Sequence, residues 1–163
     1  MQTFLPYKSF TISAKCLDQK RLGKQRVEAK QIINVLEKLK LGEKPKWSNH
    51  PAVRMWNGYI KALKLYHNAC IDEWIYRGFN NTMKMYKVRP FDVKYPEWLD
   101  DKRLHISHRS RLVAKDSEFY SQYGWKVDVE MPYWWPVPLL GNTAKPWTEE
   151  WDKIIEDWNK NDL

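Results

Sequence analysis

The stretch from Pro51 to Gly78 constrains the fold most strongly, because its apolar residues recur at the spacing of a helix. The stripe comprises Val53, Trp56, Ile60, Leu63, His67, Cys70, Ile71, Trp74 and Ile75. Proline suits the first turn of a helix, and glycine suits the position just past its end. We therefore predict one long helix here, with an apolar face that must pack against other helices.

A second stretch, about residues 12–40, has the same periodicity and is followed by Gly42. Its apolar stripe comprises Leu22, Ala29, Ile32, Ile33, Leu36 and Leu39. Gly23 lies inside this stretch, where a glycine costs about 1 kcal/mol relative to alanine. Two explanations stay open: either the helix begins after Gly23, or another group approaches the backbone closely at that point.

The rest of the chain alternates irregular segments with shorter helices. Residues 80–99 are predicted to be irregular because Pro90 and Pro96 interrupt them, and a Pro- and Trp-rich crossing occupies residues 131–147. Shorter helices are predicted over residues 101–114, over 117–123 and after Thr148.

Neither a repeat nor a linker divides the chain, and 163 residues suit one domain. We therefore predict an all-α fold in which residues 1–163 form a compact single domain. Residues 137–163 are expected to be an irregular Pro/Trp-rich C-terminal extension that carries the last helix.

Charge is the feature of the composition that bears on function. The chain has 28 basic and 20 acidic residues, a net charge of +8 and a pI of about 9.4. This sign favours polyanions, nucleic acid ahead of an acidic membrane surface, unless the charge only keeps the protein dispersed. No apolar run suits a membrane span or a secretory segment. We expect a cytoplasmic, nucleoid-associated protein with reduced Cys16 and Cys70.

The sequence "RLGKQRVEA" gathers charge on one helical segment. At 100° per residue, Arg21, Lys24 and Glu28 lie within about 60° of one another, at the edge of the apolar stripe, and Arg26 projects from the other flank. A carboxylate at such an edge can be half-buried, oriented by cations and open to a cleft. The alternative is an exposed Lys24–Glu28 ion pair worth a few tenths of a kcal/mol, which periodicity alone favours.

The sequence "HISHRSR" admits three interpretations. His105 and His108 could share acid and base work, as in a metal-independent ribonuclease. Ser107, His108, Arg109 and Ser110 could instead hold phosphates. A third possibility is a buried, hydrogen-bonded histidine beside an exposed one. We favour phosphate contacts over catalysis.

The sequence "NHPAVRMW" places His50 at a helix start and Arg54 one turn later. Helix N-termini bind anions, so both residues are candidate phosphate contacts. A simple capping loop explains the pattern equally well. The chain lacks the "HExxH" and "CxxC" patterns, so we expect no metal site.

Three stretches, in this order, resemble the pyrimidine-dimer DNA glycosylase family, which is typified by endonuclease V. They are "LDQKRLGKQRVEA", "HPAVRMWNGYIKALKLYHNACIDEWIYRGFN" and "HISHRSRLVAKDSEFYSQYGW". The start "MQTFLPY" and the corner "PYWWP" are similar to one branch of that family. The resemblance covers most of residues 1–136, without the 82–100 segment.

The resemblance implies a compact helical enzyme of the endonuclease V type that acts on duplex DNA as a monomer, without a metal or an organic cofactor. In that family the terminal α-amine attacks C1′ of the damaged nucleotide and forms an imine. A helix glutamate, here Glu28, then assists sugar opening and β-elimination. An α-amine suits this role because its pKa lies near 7.7–8.0, so a useful fraction is neutral at pH 7.

Two departures from the family pattern affect the assignment. The family has a small residue after the initiator methionine, whereas Gln2 is bulky, so the amine belongs either to a retained Met1 or to Gln2. The family's catalytic Arg and Glu are adjacent, whereas Val27 separates Arg26 from Glu28. We align on the glutamate, because the other choice puts Val27 where a carboxylate is needed.

Eight residues are the candidate DNA contacts: Arg21, Lys24, Arg26, His50, Arg54, Ser107, His108 and Arg109. Two other functions remain open, a non-catalytic module that binds distorted duplex DNA and the histidine-dependent ribonuclease. The lesion also stays open, since a modified base fits these residues as well as a cyclobutane dimer does.

Overall fold

The computed structural model describes residues 1–141 and 145–161. Within these ranges the chain forms α-helices and short 3-10 helices and has no β-strand, so the predicted all-α class is confirmed. The α-helices are α1 (Phe10–Cys16), α2 (Gln19–Lys40), α3 (Pro51–Arg54), α4 (Ile60–Tyr76), α5 (Lys102–Lys115), α6 (Ser117–Tyr120) and α7 (Glu149–Asn161). The 3-10 helices are Pro90–Asp92, Glu97–Asp100 and Ser121–Tyr123.

The centre of the fold is the packing of α2 along α4, with α1 also against α4. Most residues of both predicted apolar stripes are buried in or beside this interface, although Ile75 is 50% exposed. The buried side chains include Leu22, Ala29, Ile32, Ile33, Leu36, Ala62, Leu63, Tyr66 and Cys70. Full burial of a Leu or Ile side chain contributes about 1.5–3 kcal/mol, so this interface holds α2 firmly in place.

The helix predicted over residues 12–40 is in fact two helices. Leu17 is extended (φ −75°, ψ 141°), which ends α1, and Asp18 begins α2 by accepting a hydrogen bond from the backbone N–H of Arg21. The Tyr120 hydroxyl also donates to the Asp18 carboxylate. The helix breaks because this carboxylate satisfies a free N–H of α2, as Asp does at N-cap positions.

The helix predicted from Pro51 onwards is also interrupted. α3 ends at Arg54 and α4 begins at Ile60, and Gly58 between them has φ +88°, a conformation that favours glycine. Trp56 lies in this connection yet is fully buried. The apolar stripe therefore continues across the break, which is why periodicity alone missed it.

α2 runs through Gly23 without a break, so the second explanation for this glycine is confirmed. A Cβ atom at this position would lie 3.2 Å from Cζ3 of the Trp74 ring. The missing side chain is what lets the indole of α4 approach the backbone of α2.

Gly23→Ala is expected to destabilise the protein by about 1 kcal/mol, even though alanine is the better helix former. The Trp74 ring has little room to move, because the Arg26 guanidinium lies 4.0 Å from its centroid and the Phe79 ring 4.5 Å. Urea unfolding measures the effect. In a Trp74→Ala background the same substitution should stabilise by about 1 kcal/mol, and stabilisation in the wild-type background would contradict this account.

The remaining predicted elements are confirmed with small shifts. Residues 80–99 are irregular apart from 3-10 turns, α5 and α6 replace the helices predicted over 101–114 and 117–123, and α7 follows Thr148. The Pro/Trp-rich crossing contains no helix in its described part. The prediction of one domain over residues 1–163 stays a prediction. In the described part of the chain, no helix is long and apolar enough to cross a membrane.

Candidate active-site cleft

The amino terminus and α2 meet at a cleft of about 430 Å³, which we call the amino-terminal cleft. Its lining comprises Met1, Gln2, Phe4, Lys20, Arg21, Lys24, Gln25, Glu28, Lys115 and Tyr133. The structure thus brings together five residues that the sequence singled out: Met1, Gln2, Arg21, Lys24 and Glu28. Met1, the residue that carries the terminal amine, lines this space together with a single carboxylate, Glu28, among the lining residues that the structure describes.

The segment before α1 is fixed to α5 through its backbone. The N–H of Leu5 donates to Nδ1 of His108 at 2.9 Å, and Nε of Arg109 donates to the carbonyl oxygen of Pro6 at 2.7 Å. These bonds hold the start of the chain against the helices. The backbone at Leu5 and Pro6, shortly after Met1, is therefore held in place by the fold.

Glu28 accepts a hydrogen bond at Oε2 from Nε2 of Gln25, at 2.9 Å. Lys24 and Glu28 both lie in the described part of the chain, and they form no ion pair there within 4.0 Å. The exposed i,i+4 pair that periodicity favoured is therefore not the arrangement found. Glu28 is half-buried and faces the cleft.

Cations surround Glu28 on the cleft wall. Lys20, Arg21 and Lys24 come from α2, and Lys115 comes from the end of α5. Burial, reinforced by the charges of nearby arginines and of Lys24, lowers the pKa of Lys115, whereas Glu28 acts in the opposite direction. These interactions place Lys115 within electrostatic reach of Glu28. A cleft with this charge suits a phosphate-bearing ligand.

Arg21 is oriented by Asp18 at the start of α2. The guanidinium Nη1 lies 3.1 Å from Oδ1 of Asp18. Burial alone would raise the pKa of Asp18, but hydrogen bonds from Tyr120 and Arg21 outweigh burial and lower it. Asp18 therefore stays charged and holds Arg21 at the cleft.

A second groove of about 720 Å³ runs along the same side of α2 and is called here the Trp74 groove. It shares Lys20, Lys24 and Glu28 with the amino-terminal cleft. Trp74 forms its far wall. The two spaces together give α2 a long face on which cations outnumber the two carboxylates, Asp18 and Glu28.

Arg26 does not line either space. Its guanidinium lies 4.0 Å from the centroid of the Trp74 ring, and Nη1 donates to Oδ1 of Asn81 at 3.0 Å. The structure therefore places this predicted DNA contact in a packing role between α2 and α4.

His50 and Arg54 have separate surroundings. His50 caps α3, since Nδ1 accepts from the backbone N–H of Ala52 at 3.1 Å. Burial and the positive charge of the amino terminus lower the pKa of His50, so this ring lies within reach of the terminal amine. Arg54 does not line the amino-terminal cleft, and its guanidinium donates a hydrogen bond to the carbonyl oxygen of Pro138.

The predicted phosphate contacts of Ser107 and His108 are not supported, because both side chains are 0% exposed. Oγ of Ser107 donates to the Leu104 carbonyl oxygen at 2.9 Å and accepts from the backbone N–H of Trp134 at 3.0 Å. Burial lowers the pKa of His108 to about 3, so the ring is neutral and structural.

The ribonuclease interpretation is not supported either, because neither histidine is available to a substrate. His105 contacts the backbone with both ring nitrogens, Nδ1 at 2.7 Å from the Leu5 carbonyl oxygen and Nε2 at 2.8 Å from that of Leu99. His108 is buried beside it. Nε2 of His108 has no hydrogen-bond partner but is buried, and both nitrogens of His105 contact carbonyl oxygens. The structure therefore gives no support to shared acid and base catalysis by this pair.

Arg109 is half-buried against aromatic rings. Its guanidinium lies 4.6 Å from the centroid of the Tyr7 ring and 5.8 Å from that of Trp125, and burial lowers its pKa. This side chain holds the segment before α1 and does not line the amino-terminal cleft. The structure therefore gives it a structural role in place of the predicted phosphate contact.

Five cleft residues escaped the sequence analysis: Phe4, Lys20, Gln25, Lys115 and Tyr133. Lys20 and Gln25 lie on the same helix as Glu28, and their spacing from it was a usable signal. Lys115 and Tyr133 gave none, because only the tertiary fold brings α5 and the Pro/Trp-rich crossing to α2. Burial raises the pKa of Tyr133 to about 12. In the described ranges, no three His, Cys, Asp or Glu side chains form a group that could hold a metal ion.

One family model, described as pyrimidine dimer DNA glycosylase, matches residues 1–87, more than half of the chain. This range contains α1 to α4 and every residue of the amino-terminal cleft except Lys115 and Tyr133. The resemblance expected for the stretch from residue 105 lies beyond the match and stays a prediction. No curated protein and no solved structure matches the chain. On the strength of the family match, the chain belongs to the pyrimidine dimer DNA glycosylase family.

Proposed function

We propose that the amino-terminal cleft is the active site of a DNA glycosylase with an associated lyase step, in which the terminal amine is the nucleophile. Family membership implies the coarser part, a glycosylase for pyrimidine dimers with DNA as its substrate. The lyase step and the role of the terminal amine are supported by one observation: Met1, Glu28 and several cations line the same cleft.

The chemistry follows from the groups present. The neutral amine forms a bond to C1′ while the glycosidic bond breaks and the base leaves with a proton. Opening of the sugar ring gives an imine, and removal of a C2′ proton then breaks the C3′–O bond and nicks the strand. Glu28 serves as the group that stabilises the cationic sugar and carries these protons.

Met1 is the residue that supplies the amine. Gln2 is only 6% exposed, and its bulk differs from the small second residue that favours removal of methionine. An amino-terminal glutamine also cyclises onto its own amine, which would destroy the nucleophile. We therefore assign the nucleophile to a retained Met1, and assign to Gln2 the role of its buried support.

The cations of the cleft bind the phosphates that flank the lesion. Arg21, Lys24 and Lys115 lie around Glu28, and His50 lies near the amine. In the neutral ring of His50, Nδ1 accepts a hydrogen bond, so the proton sits on Nε2 and can be donated to a phosphate oxygen.

Duplex affinity is expected to fall steeply with salt, with a slope of log K against log salt of about −5 for five or six phosphate contacts. Lys24→Ala should make that slope shallower by about one unit. Lys160→Ala, an exposed lysine on α7, is the matched control and should leave the slope unchanged. Titrations at four salt concentrations measure it, and a salt-insensitive complex would contradict the assignment.

Borohydride trapping tests the proposed function. The protein is incubated with duplexes that carry a cyclobutane pyrimidine dimer, a modified pyrimidine, an abasic site or no lesion, and borohydride is added. We expect a covalent protein–DNA adduct and a strand nick with the lesion duplexes only. Binding to the lesion without adduct, base release or nicking would instead establish the non-catalytic module.

A further inference from the structure

Gln25 lies on α2 with 0% exposure, between the amino terminus and Glu28. Its Oε1 accepts from the Phe4 N–H at 2.8 Å and lies 2.6 Å from the Tyr66 hydroxyl. Its Nε2 donates to the Gln2 carbonyl oxygen at 3.0 Å and to Oε2 of Glu28 at 2.9 Å. An amide has two donor hydrogens and two acceptor lone pairs, so every one of them has a partner.

The partners fix the orientation of this amide. Turning it over would aim its NH₂ group at the Phe4 N–H and its oxygen at the Gln2 carbonyl and the Glu28 carboxylate, which are unfavourable contacts. The Tyr66 hydroxyl adds a further constraint, since it lies 2.8 Å from the Phe4 carbonyl oxygen and shares its one proton between that oxygen and Oε1. Gln25 therefore has a single orientation.

One buried side chain thus joins the two chemical groups of the cleft. Two of its bonds hold the backbone at Gln2 and Phe4, directly after the residue that carries the amine. A third occupies Oε2 of Glu28 and leaves Oε1 of that carboxylate for the substrate. The Gln25 amide therefore connects the backbone next to Met1 with the Glu28 carboxylate, two parts of the chain that are far apart in the sequence.

We propose that Gln25 is a positioning residue, which sets the distance and orientation between the terminal amine and the Glu28 carboxylate. This inference rests on the proposed function. Purely structural anchoring of the amino terminus needs only the bonds to Gln2 and Phe4. The bond from the same amide to a cleft carboxylate is the feature that links it to the chemistry.

Gln25→Met tests the proposal, because it keeps the approximate length of the side chain and removes all its hydrogen bonds. Misplacement of reacting groups by about 1 Å can cost about 10²-fold in rate. We therefore expect single-turnover strand cleavage to fall about 10²-fold while Kd for the lesion duplex stays within about threefold. This split separates positioning of the reacting groups from substrate binding.

Thr3→Val is the matched control for structural damage. It removes the hydroxyl that accepts from Nε1 of Trp56 at 3.0 Å, another buried bond of the amino-terminal segment, without touching Gln25 or Glu28. Cleavage by this variant should stay within a few-fold of wild type. Equal rates for Thr3→Val and Gln25→Met would overturn the positioning role.

Gln25→Glu keeps the test decisive if the methionine variant does not fold. When protonated, the new carboxyl still donates a hydrogen bond towards Gln2 or Glu28, and when ionised it repels both. The ratio of variant to wild-type cleavage should therefore rise as pH falls. The charged and titratable groups that face this position are Lys20, Arg21, Lys24, Glu28, Tyr66, Lys115, Tyr133 and the terminal amine.

The outcomes distinguish the two proposals. If wild type forms no borohydride adduct with lesion DNA, the proposed function fails. If wild type forms it but Gln25→Met cleaves like Thr3→Val, the positioning role of Gln25 fails and the proposed function stands. If Gln25→Met does not fold, a Gln25→Glu ratio that is independent of pH has the same consequence.

Discussion

Strand cleavage is expected to fall by about 10²–10⁴-fold in Glu28→Gln, the range that general acid–base groups contribute. The amide keeps the shape of the side chain and still meets Gln25, but it has neither the negative charge that stabilises a cationic sugar nor a proton to transfer. Binding of the lesion duplex should persist or tighten, because a negative charge near the phosphates is removed. Single-turnover cleavage, with binding assayed in parallel, measures both effects.

Glu37→Gln is the matched control for this prediction. Glu37 lies on the same helix, α2, and pairs with Lys64 at 3.2 Å, outside both the amino-terminal cleft and the Trp74 groove. Its substitution should leave cleavage unchanged and alter stability by less than about 1 kcal/mol. Cleavage by Glu28→Gln within a few-fold of wild type would remove Glu28 from the chemistry.

A peptide extension before Met1 is expected to abolish both the borohydride adduct and strand cleavage. The extension converts the terminal amine into an amide, which is not a nucleophile at neutral pH. The cations of the cleft are untouched, so the extended protein should still bind duplex DNA, with some loss where the added residues meet the phosphates. Gel separation of the adduct and of the nicked strand measures the effect.

The same peptide added after Leu163 is the control for this second prediction. It leaves the amine free, and trapping and cleavage should proceed as in the untagged protein. An amino-terminally extended protein that cleaves the lesion strand at the wild-type rate would show that the amine of Met1 takes no part.

The sequence predicted the helices better than their breaks. The stripes of α2 and α4 were visible because both helices bury one face against the other, and period 3.6 reports such burial. The breaks at Leu17 and around Gly58 were hidden, since Leu17 and Trp56 are themselves buried and so keep the apolar pattern intact. The helices break at these two places because Asp18 caps the start of α2 and because Gly58 adopts a left-handed backbone conformation.

The candidate site was predictable where its residues share a helix. Arg21, Lys24 and Glu28 were grouped by helical geometry, and the family resemblance supplied the amine. His108 was misassigned because its partner, the Leu5 N–H, lies 103 residues away in the sequence and turns an apparently free histidine into a buried acceptor. Lys115 was missed for the complementary reason, since only the packed fold brings it to Glu28.

Mapping the borohydride adduct tests the central claim most directly. Wild-type protein is trapped on a duplex with one defined pyrimidine dimer, digested, and the DNA-bearing peptide is identified by mass spectrometry. The account predicts that the sugar remnant lies on the α-nitrogen of Met1. An adduct on Lys24, Lys115 or any other lysine would contradict the terminal-amine mechanism.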